Sequence, residues 1–103
     1  MSQGLLTATR KQDKTRISFG PVLDVSGSGE LKKQLEKVFR RKSPFELDGS
    51  AIERIDTAAL QVLAAFSRES RNRDIELAWA GVSDSLRNAS TLLGLTRELG
   101  ISN

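Results

Sequence analysis

The stretch that decides the fold of this chain spans residues 47–60 and reads Leu47-Asp48-Gly49-Ser50-Ala51-Ile52-Glu53-Arg54-Ile55-Asp56-Thr57-Ala58-Ala59-Leu60. It opens with the end of an alternating segment, residues 45–48, which predicts a strand. The residues that follow predict a loop over 49–55. From residue 58 to residue 71 the sequence is long and rich in Ala, which favours a helix over a strand. The stretch therefore predicts a strand–loop–helix unit with Asp56 and Thr57 at the start of the helix.

Segments on both sides of this unit predict further strands and helices in alternation. Strands are expected over 5–9, 15–19 and 75–79, with a turn at 10–14 and a brief strand resumption at 22–23. Helices are expected from a cap at Ser28 to about Lys42 and from a cap at Ser83 to a stop at Gly94, with a short turn over 96–99. Strand–helix–strand units imply right-handed crossovers and parallel strands. We therefore expect an α/β fold, a small mixed sheet of about four strands with a parallel centre and an antiparallel N-terminal edge, with three to four helices packed against it.

The composition argues against an enzyme. The chain has 103 residues and contains no Cys, His or Tyr. Disulfides, thiolate zinc sites and cysteine nucleophiles are therefore excluded, and most general bases, triads and metal ligands lack their usual residues. We expect a non-enzymatic protein without a cofactor or a metal. With no targeting segment and no apolar run of the roughly 20 residues that cross a bilayer, we expect a cytoplasmic location without membrane insertion.

The net charge of +3 is concentrated near the N-terminus, where Arg10, Lys11, Lys14 and Arg16 are offset by Asp13 alone. A second basic group lies on the predicted first helix, with one aromatic residue, Phe39, among its cations. Direct nucleic-acid binding would need a coherent basic face, preferably with aromatic residues for stacking. We interpret the second group as a solvated helix end, which the helix dipole favours. We expect a single domain over residues 1–103, with residues 1–4 flexible.

Two interpretations compete for Asp56 and Thr57. One is structural, because Asp or Thr at a helix start can accept a hydrogen bond from amides that lack an intrahelical partner. The other is functional, because ligands and partners of open α/β sheets dock at the carboxyl ends of the strands. A phosphate on a hydroxyl at a helix N-terminus is favoured by the dipole and would add about −1.5 to −2 charges. The two interpretations are compatible, since an exposed residue at the cap can also accept a phosphate.

The same stretch resembles the signature of STAS domains, a family that includes bacterial anti-sigma factor antagonists and the C-terminal domains of sulfate transporters. Their pattern is an apolar strand, an Asp or Asn, a short loop, and Asp-Ser/Thr-x-Gly-Leu at the start of a helix. The resemblance extends over residues 5–99. Further matching segments are Leu23-Asp24 with Leu31 seven residues later, Val82-Ser83-Asp84-Ser85-Leu86, and Leu92-Leu93-Gly94-Leu95.

The resemblance implies a function and a set of site residues. Thr57 matches the Ser or Thr that a kinase-type anti-sigma factor phosphorylates in antagonists, and Asp56 matches the preceding Asp. Asp24 and Ser83 match residues near the partner surface, where a turn former and a plain helix cap are the structural alternatives. Ala58 belongs to the exposed start of the second helix; together with Val62 and Ala65 it is either buried against neighbouring elements or part of a partner patch. The implied protein is a phospho-switched regulator of signalling and transcription.

Two departures from the antagonist pattern leave a second function open. Ala59 stands where the family usually has Gly, and we expect the last strand and long helix of sporulation-type antagonists to be largely missing. The resemblance also fits the small cytoplasmic subunit of lipid-asymmetry ABC transporters, which keeps an Asp-Thr pair. In that case Thr57 would contact a transporter ATPase and would not accept a phosphate.

Overall fold

The computed structural model describes residues 5–24 and 28–101, so residues 1–4, predicted as flexible, lie outside the described part. The elements follow in the order β1 (Leu6–Lys11), β2 (Lys14–Phe19), β3 (Val22–Leu23), α1 (Ser28–Val38), a 3-10 turn (Phe39–Arg41), β4 (Phe45–Gly49), β5 (Arg54–Ile55), α2 (Thr57–Asn72), β6 (Leu77–Val82), α3 (Asp84–Leu92) and α4 (Thr96–Leu99).

The main sheet has four strands in the order β1-β2-β4-β6 among the described residues. β1 is antiparallel to β2, while β2 pairs in parallel with β4 and β4 with β6. The predicted α/β class, with a parallel centre and an antiparallel N-terminal edge, is confirmed. The hairpin turn is tighter than the predicted 10–14 segment: it consists of Gln12 and Asp13, and Gln12 adopts the left-handed region with φ 56°.

A second, two-stranded sheet was not predicted. β3 pairs in parallel with β5, with Val22 beside Arg54 and Leu23 beside Ile55. The sequence predicted only a loop over 49–55, because a strand of two residues is too short to show a period. This small sheet fixes the loop, and the carbonyl oxygen of Pro21 strengthens it by accepting from the backbone N–H groups of Glu53 at 2.8 Å and Arg54 at 3.0 Å.

The helices cover one face of the main sheet. In β2 and β4 the side chains alternate strictly, so Ile17, Phe19, Phe45 and Leu47 are buried while their sequence neighbours on the other face are half-buried. Packing of helices on only one face of the sheet gives this alternation. The rings of Phe39, Phe45 and Phe66 form an aromatic cluster under α1 and α2, with centroids 4.9–5.8 Å apart.

The helix ends agree with the sequence signals, apart from one shift. α1 already includes Ser28, one residue earlier than predicted, and the side chain of Ser28 lies outside the described part. The 3-10 turn ends at Arg41 and is followed by the C-cap residue Lys42, which has φ 51° and precedes Ser43-Pro44. Gly94, the predicted stop, has φ 68°, a conformation that favours glycine. No helix in the described ranges is both long and apolar enough to span a bilayer.

Candidate functional site

The pairing of β3 with β5 brings the first two predicted site residues to one edge. Leu23 lies beside Ile55, and the backbone N–H of Asp56 donates to the carbonyl oxygen of Leu23 at 3.1 Å. Asp24 and Asp56 each follow one of these parallel strands, so both lie at their carboxyl ends. The side chain of Asp24 is exposed and that of Asp56 is half-buried.

Asp56 is the N-cap of α2, as the structural interpretation predicted. Its backbone is extended, with φ −98° and ψ 176°, and its Oδ1 accepts from the N–H of Ala59 at 3.0 Å. The carbonyl oxygen of Asp56 accepts from the N–H of Leu60 at 3.0 Å, which closes the first helical turn. Such a cap stabilises a helix by about 1 kcal/mol. The carboxylate therefore sets where α2 begins.

Thr57 is the first residue of α2, and its side chain is exposed. Because Asp56 provides the cap, the Thr57 hydroxyl has no part in the capping hydrogen bond. The hydroxyl lies at the positive end of the helix dipole, which favours a negative group. The arrangement leaves Thr57 open to chemistry that does not disturb the helix start.

Ala58 begins an open groove between α1 and α2. Ala58 and Val62 are half-buried and Ala65 is exposed, so burial against neighbouring elements, one of the two alternatives, does not hold at Ala65. The groove has a volume of about 680 Å³ and is lined by Lys32, Leu35, Glu36, Phe39, Ala58, Gln61, Val62, Ala65, Phe66, Glu69 and Arg73. An apolar surface thus extends from the start of α2 along the helix.

Ser83 lies on a different loop and caps α3. Its Oγ accepts from the N–H of Leu86 at 3.1 Å, which confirms the predicted cap. Its own N–H donates to the carbonyl oxygen of Gly49 at 3.2 Å. Ser83 therefore joins the end of β6 to the loop that leads towards Asp56, and α3 contacts β5 in turn.

An ionic network at the start of the loop over 49–55 was not predicted from the sequence. The guanidinium of Arg16 donates to Glu46 at 2.8 Å and to Asp48 at 2.9 Å. Asp48 Oδ1 also accepts from the Ser50 hydroxyl at 2.6 Å and from the Ser50 N–H at 3.0 Å. The residues of the network occupy polar positions of β2 and β4. The register of these two strands places Arg16 opposite Glu46 and Ser18 opposite Asp48. The network could not be predicted from the sequence without knowing that register.

The network shifts the pKa values of Asp48 and Arg16. Hydrogen bonds from Ser50, with the Arg16 charge, hold the pKa of Asp48 below its usual range. The carboxylate of Asp48 in turn raises the pKa of the Arg16 guanidinium above its ordinary value. Both groups therefore favour their charged forms, and Asp48 orders the first residues of the loop. In the described part of the chain, no three acidic side chains are grouped so as to hold a metal ion.

Comparison with known structures finds close matches to the fold. An anti-sigma factor antagonist from Mycobacterium paratuberculosis superimposes with a TM-score of 0.80 at 18% identity, over 93% of this chain and 82% of that one. A Thermotoga maritima protein, described as a candidate anti-sigma factor antagonist, gives a TM-score of 0.76 at 16% identity, over 89% and 80% of the two chains. At these identities the likeness shows a shared fold.

Sequence comparison identifies the family. No curated protein sequence matches this chain significantly. A family model described as "Mlab, STAS domain" matches residues 6–101, which is nearly the full length. The match includes the loop over 49–55, the Asp56-Thr57 pair and the cap at Ser83. The chain belongs to the STAS domain family.

Proposed function

We propose that this protein is a non-enzymatic bacterial regulator whose binding to a kinase-type anti-sigma factor, or a related signalling ATPase, is switched by phosphorylation of Thr57. The observation that carries the proposal is the exposed Thr57 side chain at the start of a capped helix, next to two acidic residues. The protein acts in the cytoplasm by partner switching, which couples a signal to transcription.

The partner surface comprises the two carboxyl-end loops and the start of α2. Asp24, Asp56 and Thr57 follow the paired strands β3 and β5, and Ala58 continues the surface into the groove beside α1. Ser83 lies at its margin, after β6. The unmodified surface combines a hydroxyl and two carboxylates with an apolar groove, a mixture that suits a protein partner.

A phosphate on Thr57 acts as a switch because its effects on folding and on binding differ. Within the free domain, the amides and dipole of α2 offset about −1.5 to −2 added charges, so the fold tolerates the group. In a complex the same group has to lose water next to Asp56 and Asp24. Charge repulsion and desolvation then release the partner without unfolding the domain.

The test begins with the protein recovered under mild conditions from its own host. Mass spectrometry gives the phosphorylation state of Thr57 and the identity of the co-purifying partner. That partner is then titrated against Thr57→Asp and Thr57→Ala. We expect Thr57→Asp to weaken binding at least about tenfold, which is about 1.4 kcal/mol, and Thr57→Ala to bind like the wild type.

A matched stability measurement separates the switch from a folding effect. Because Asp56 and not Thr57 provides the cap, both variants should unfold within about 0.5 kcal/mol of the wild type. Equal partner binding by the two variants would show that charge at Thr57 does not control the complex. A large loss of stability in either would show that Thr57 has a mainly structural role.

A second candidate is a constitutive subunit bound to the ATPase of a lipid-asymmetry ABC transporter. Two observations favour this candidate. The description of the matching family model names Mlab, and a fully buried Ala59 occupies the position where antagonists usually have Gly. In this case Thr57 would be a contact residue. Unmodified Thr57 in a stable complex with an ABC-type ATPase would support this candidate and contradict the switch.

A further inference from the structure

The outer edge of β1 has backbone groups that face away from the sheet. β1 is the first strand in the sheet order, so within residues 5–24 and 28–101 only β2 pairs with it. The carbonyl oxygen of Leu5 accepts from the N–H of Gly20 at 2.8 Å, so residue 5 is hydrogen-bonded towards β2. Along an antiparallel strand, the backbone groups of successive residues point alternately towards and away from the paired strand. The N–H and C=O groups of Leu6, Ala8 and Arg10 therefore point outwards, away from β2.

A basic groove lies beside this edge. It has a volume of about 240 Å³ and is lined by Leu6, Ala8, Gln34, Lys37, Val38 and Arg41. Its floor is apolar, and its charged lining residues, Lys37 and Arg41, are exposed cations on the last turn of α1 and in the 3-10 turn. Neither forms an ion pair with another described residue. The groove therefore offers two free positive charges above an apolar floor.

The surroundings add positive charge. Arg10 is exposed near the end of β1, on the same side of the strand as Leu6 and Ala8. No acidic side chain lines the groove itself.

We propose that this edge and groove bind an extended acidic segment of a partner protein, which adds to the sheet as a strand beside β1. The outward backbone groups would supply main-chain hydrogen bonds, as in other cases of β-strand addition. In the added strand every second side chain would point towards α1, so acidic residues at alternate positions would meet Lys37, Arg41 and Arg10. Nucleic acid fits less well, because the groove has no aromatic lining residue for base stacking.

This surface shares no residue with the surface around Thr57. The inference therefore goes beyond the proposed function and can fail without affecting it. A chain with both surfaces would hold one partner at the start of α2 and a second, acidic one along β1.

The test measures binding of a fluorescein-labelled, nine-residue peptide that alternates Glu and Val, by fluorescence anisotropy. The charge-reversed variant Lys37→Glu/Arg41→Glu should bind at least about tenfold more weakly than the wild type. Its matched control, Lys33→Glu/Arg40→Glu, makes the same charge change on exposed residues of the same segment that do not line the groove, and should bind like the wild type. Thr57→Asp should also leave the affinity unchanged.

A second set of measurements tests strand addition itself. Ala8→Pro removes an outward N–H without removing a hydrogen bond to β2, so it should weaken peptide binding while circular dichroism shows a folded protein. A peptide with Pro at its centre, or with Gln in place of Glu, should lose binding.

Several results would overturn the proposal. If the two charge-reversed variants weakened peptide binding equally, the attraction between peptide and protein would be non-specific. If the Pro-containing peptide bound as tightly as the original peptide, no strand would be added to the sheet. Binding of phosphatidylglycerol vesicles through Lys37 and Arg41, without peptide binding, would assign the surface to a lipid partner.

Discussion

The carboxylate of Asp48 has more polar partners than a typical surface carboxylate. One of its oxygens accepts from both the hydroxyl and the N–H of Ser50, and the other accepts from Arg16 at 2.9 Å. A Cβ at Gly81 would lie 2.9 Å from the first of these oxygens, so the neighbouring strand also constrains it. These contacts hold the start of the loop that delivers Asp56 to the site.

The lowered pKa of Asp48 predicts how stability depends on pH. A carboxyl group with a pKa lower in the folded state than its unfolded value of about 3.9 stabilises the fold above that value. The contribution is lost as the pH falls through the folded pKa. We therefore expect the difference in unfolding free energy between the wild type and Asp48→Asn to be largest near pH 7 and to shrink below about pH 4.

Urea unfolding of both proteins across this pH range measures the effect. Ser50→Ala provides a graded control, because hydrogen bonding from the Ser50 hydroxyl is the largest cause of the shift. It should reduce the pH-dependent part of the difference while leaving the Arg16 ion pair in place. A difference between the wild type and Asp48→Asn that stays constant from pH 7 to pH 3 would contradict the assignment.

Asp56 and Thr57 are neighbours with separable roles. Asp56 caps α2, so its replacement changes stability and binding together, whereas Thr57 is exposed and outside the cap. Loss of such a cap costs about 1 kcal/mol, comparable to a modest binding effect. Thr57 is therefore the position at which the proposed regulatory function can be tested without altering the fold.

At the scale of elements, α3 depends on a close approach at Gly49 in β4. A Cβ at Gly49 would lie 2.8 Å from Cδ2 of Leu86 and 3.0 Å from Cζ3 of Trp79. Leu86 is fully buried, so it has little room to move. We expect Gly49→Ala to lower the free energy of unfolding by about 1–3 kcal/mol, as overpacking of a core usually does.

Gly29→Ala is the matched control for this prediction. Gly29 lies in α1, and a Cβ there would meet no atom within 4 Å. Since Ala favours helical backbone over Gly, this variant should keep or slightly raise stability in the same denaturation experiment. If both variants gave the same change, steric contact between β4, α3 and Trp79 would not explain the effect.

Elements with a long periodic pattern could be predicted from the sequence, and those made by tertiary pairing could not. β2 has a clear period of two, α2 is long and rich in Ala, and the caps Asp56 and Ser83 use side chains whose preference for helix starts is intrinsic. β5 has two residues, and its strand conformation comes from pairing with β3. The Arg16 network likewise depends on the register between β2 and β4. The positions of the predicted site residues at strand ends and helix starts thus follow from local signals, and their predicted roles follow from the family resemblance, while the scaffold that holds their loop was not predicted.

At the scale of the whole molecule, residues near the end of the described part are tied to β6, the strand at the edge of the main sheet opposite β1. The indole N–H of Trp79 in β6 donates to the carbonyl oxygen of Leu99 at 2.8 Å, and Leu99 is fully buried. Arg71 at the end of α2 donates to the carbonyl oxygen of Glu98 at 2.9 Å. α4 therefore belongs to the same core as the strands.

This connection predicts that the domain unfolds as one cooperative unit. Trp79 fluorescence reports contacts near α4, and far-UV circular dichroism reports all helices, so the two signals should give the same urea midpoint. Leu99→Ala should lower the unfolding free energy by about 2–5 kcal/mol and shift both midpoints together, because it leaves a cavity in a shared core. A fluorescence transition at lower urea than the dichroism transition would show that α4 detaches first.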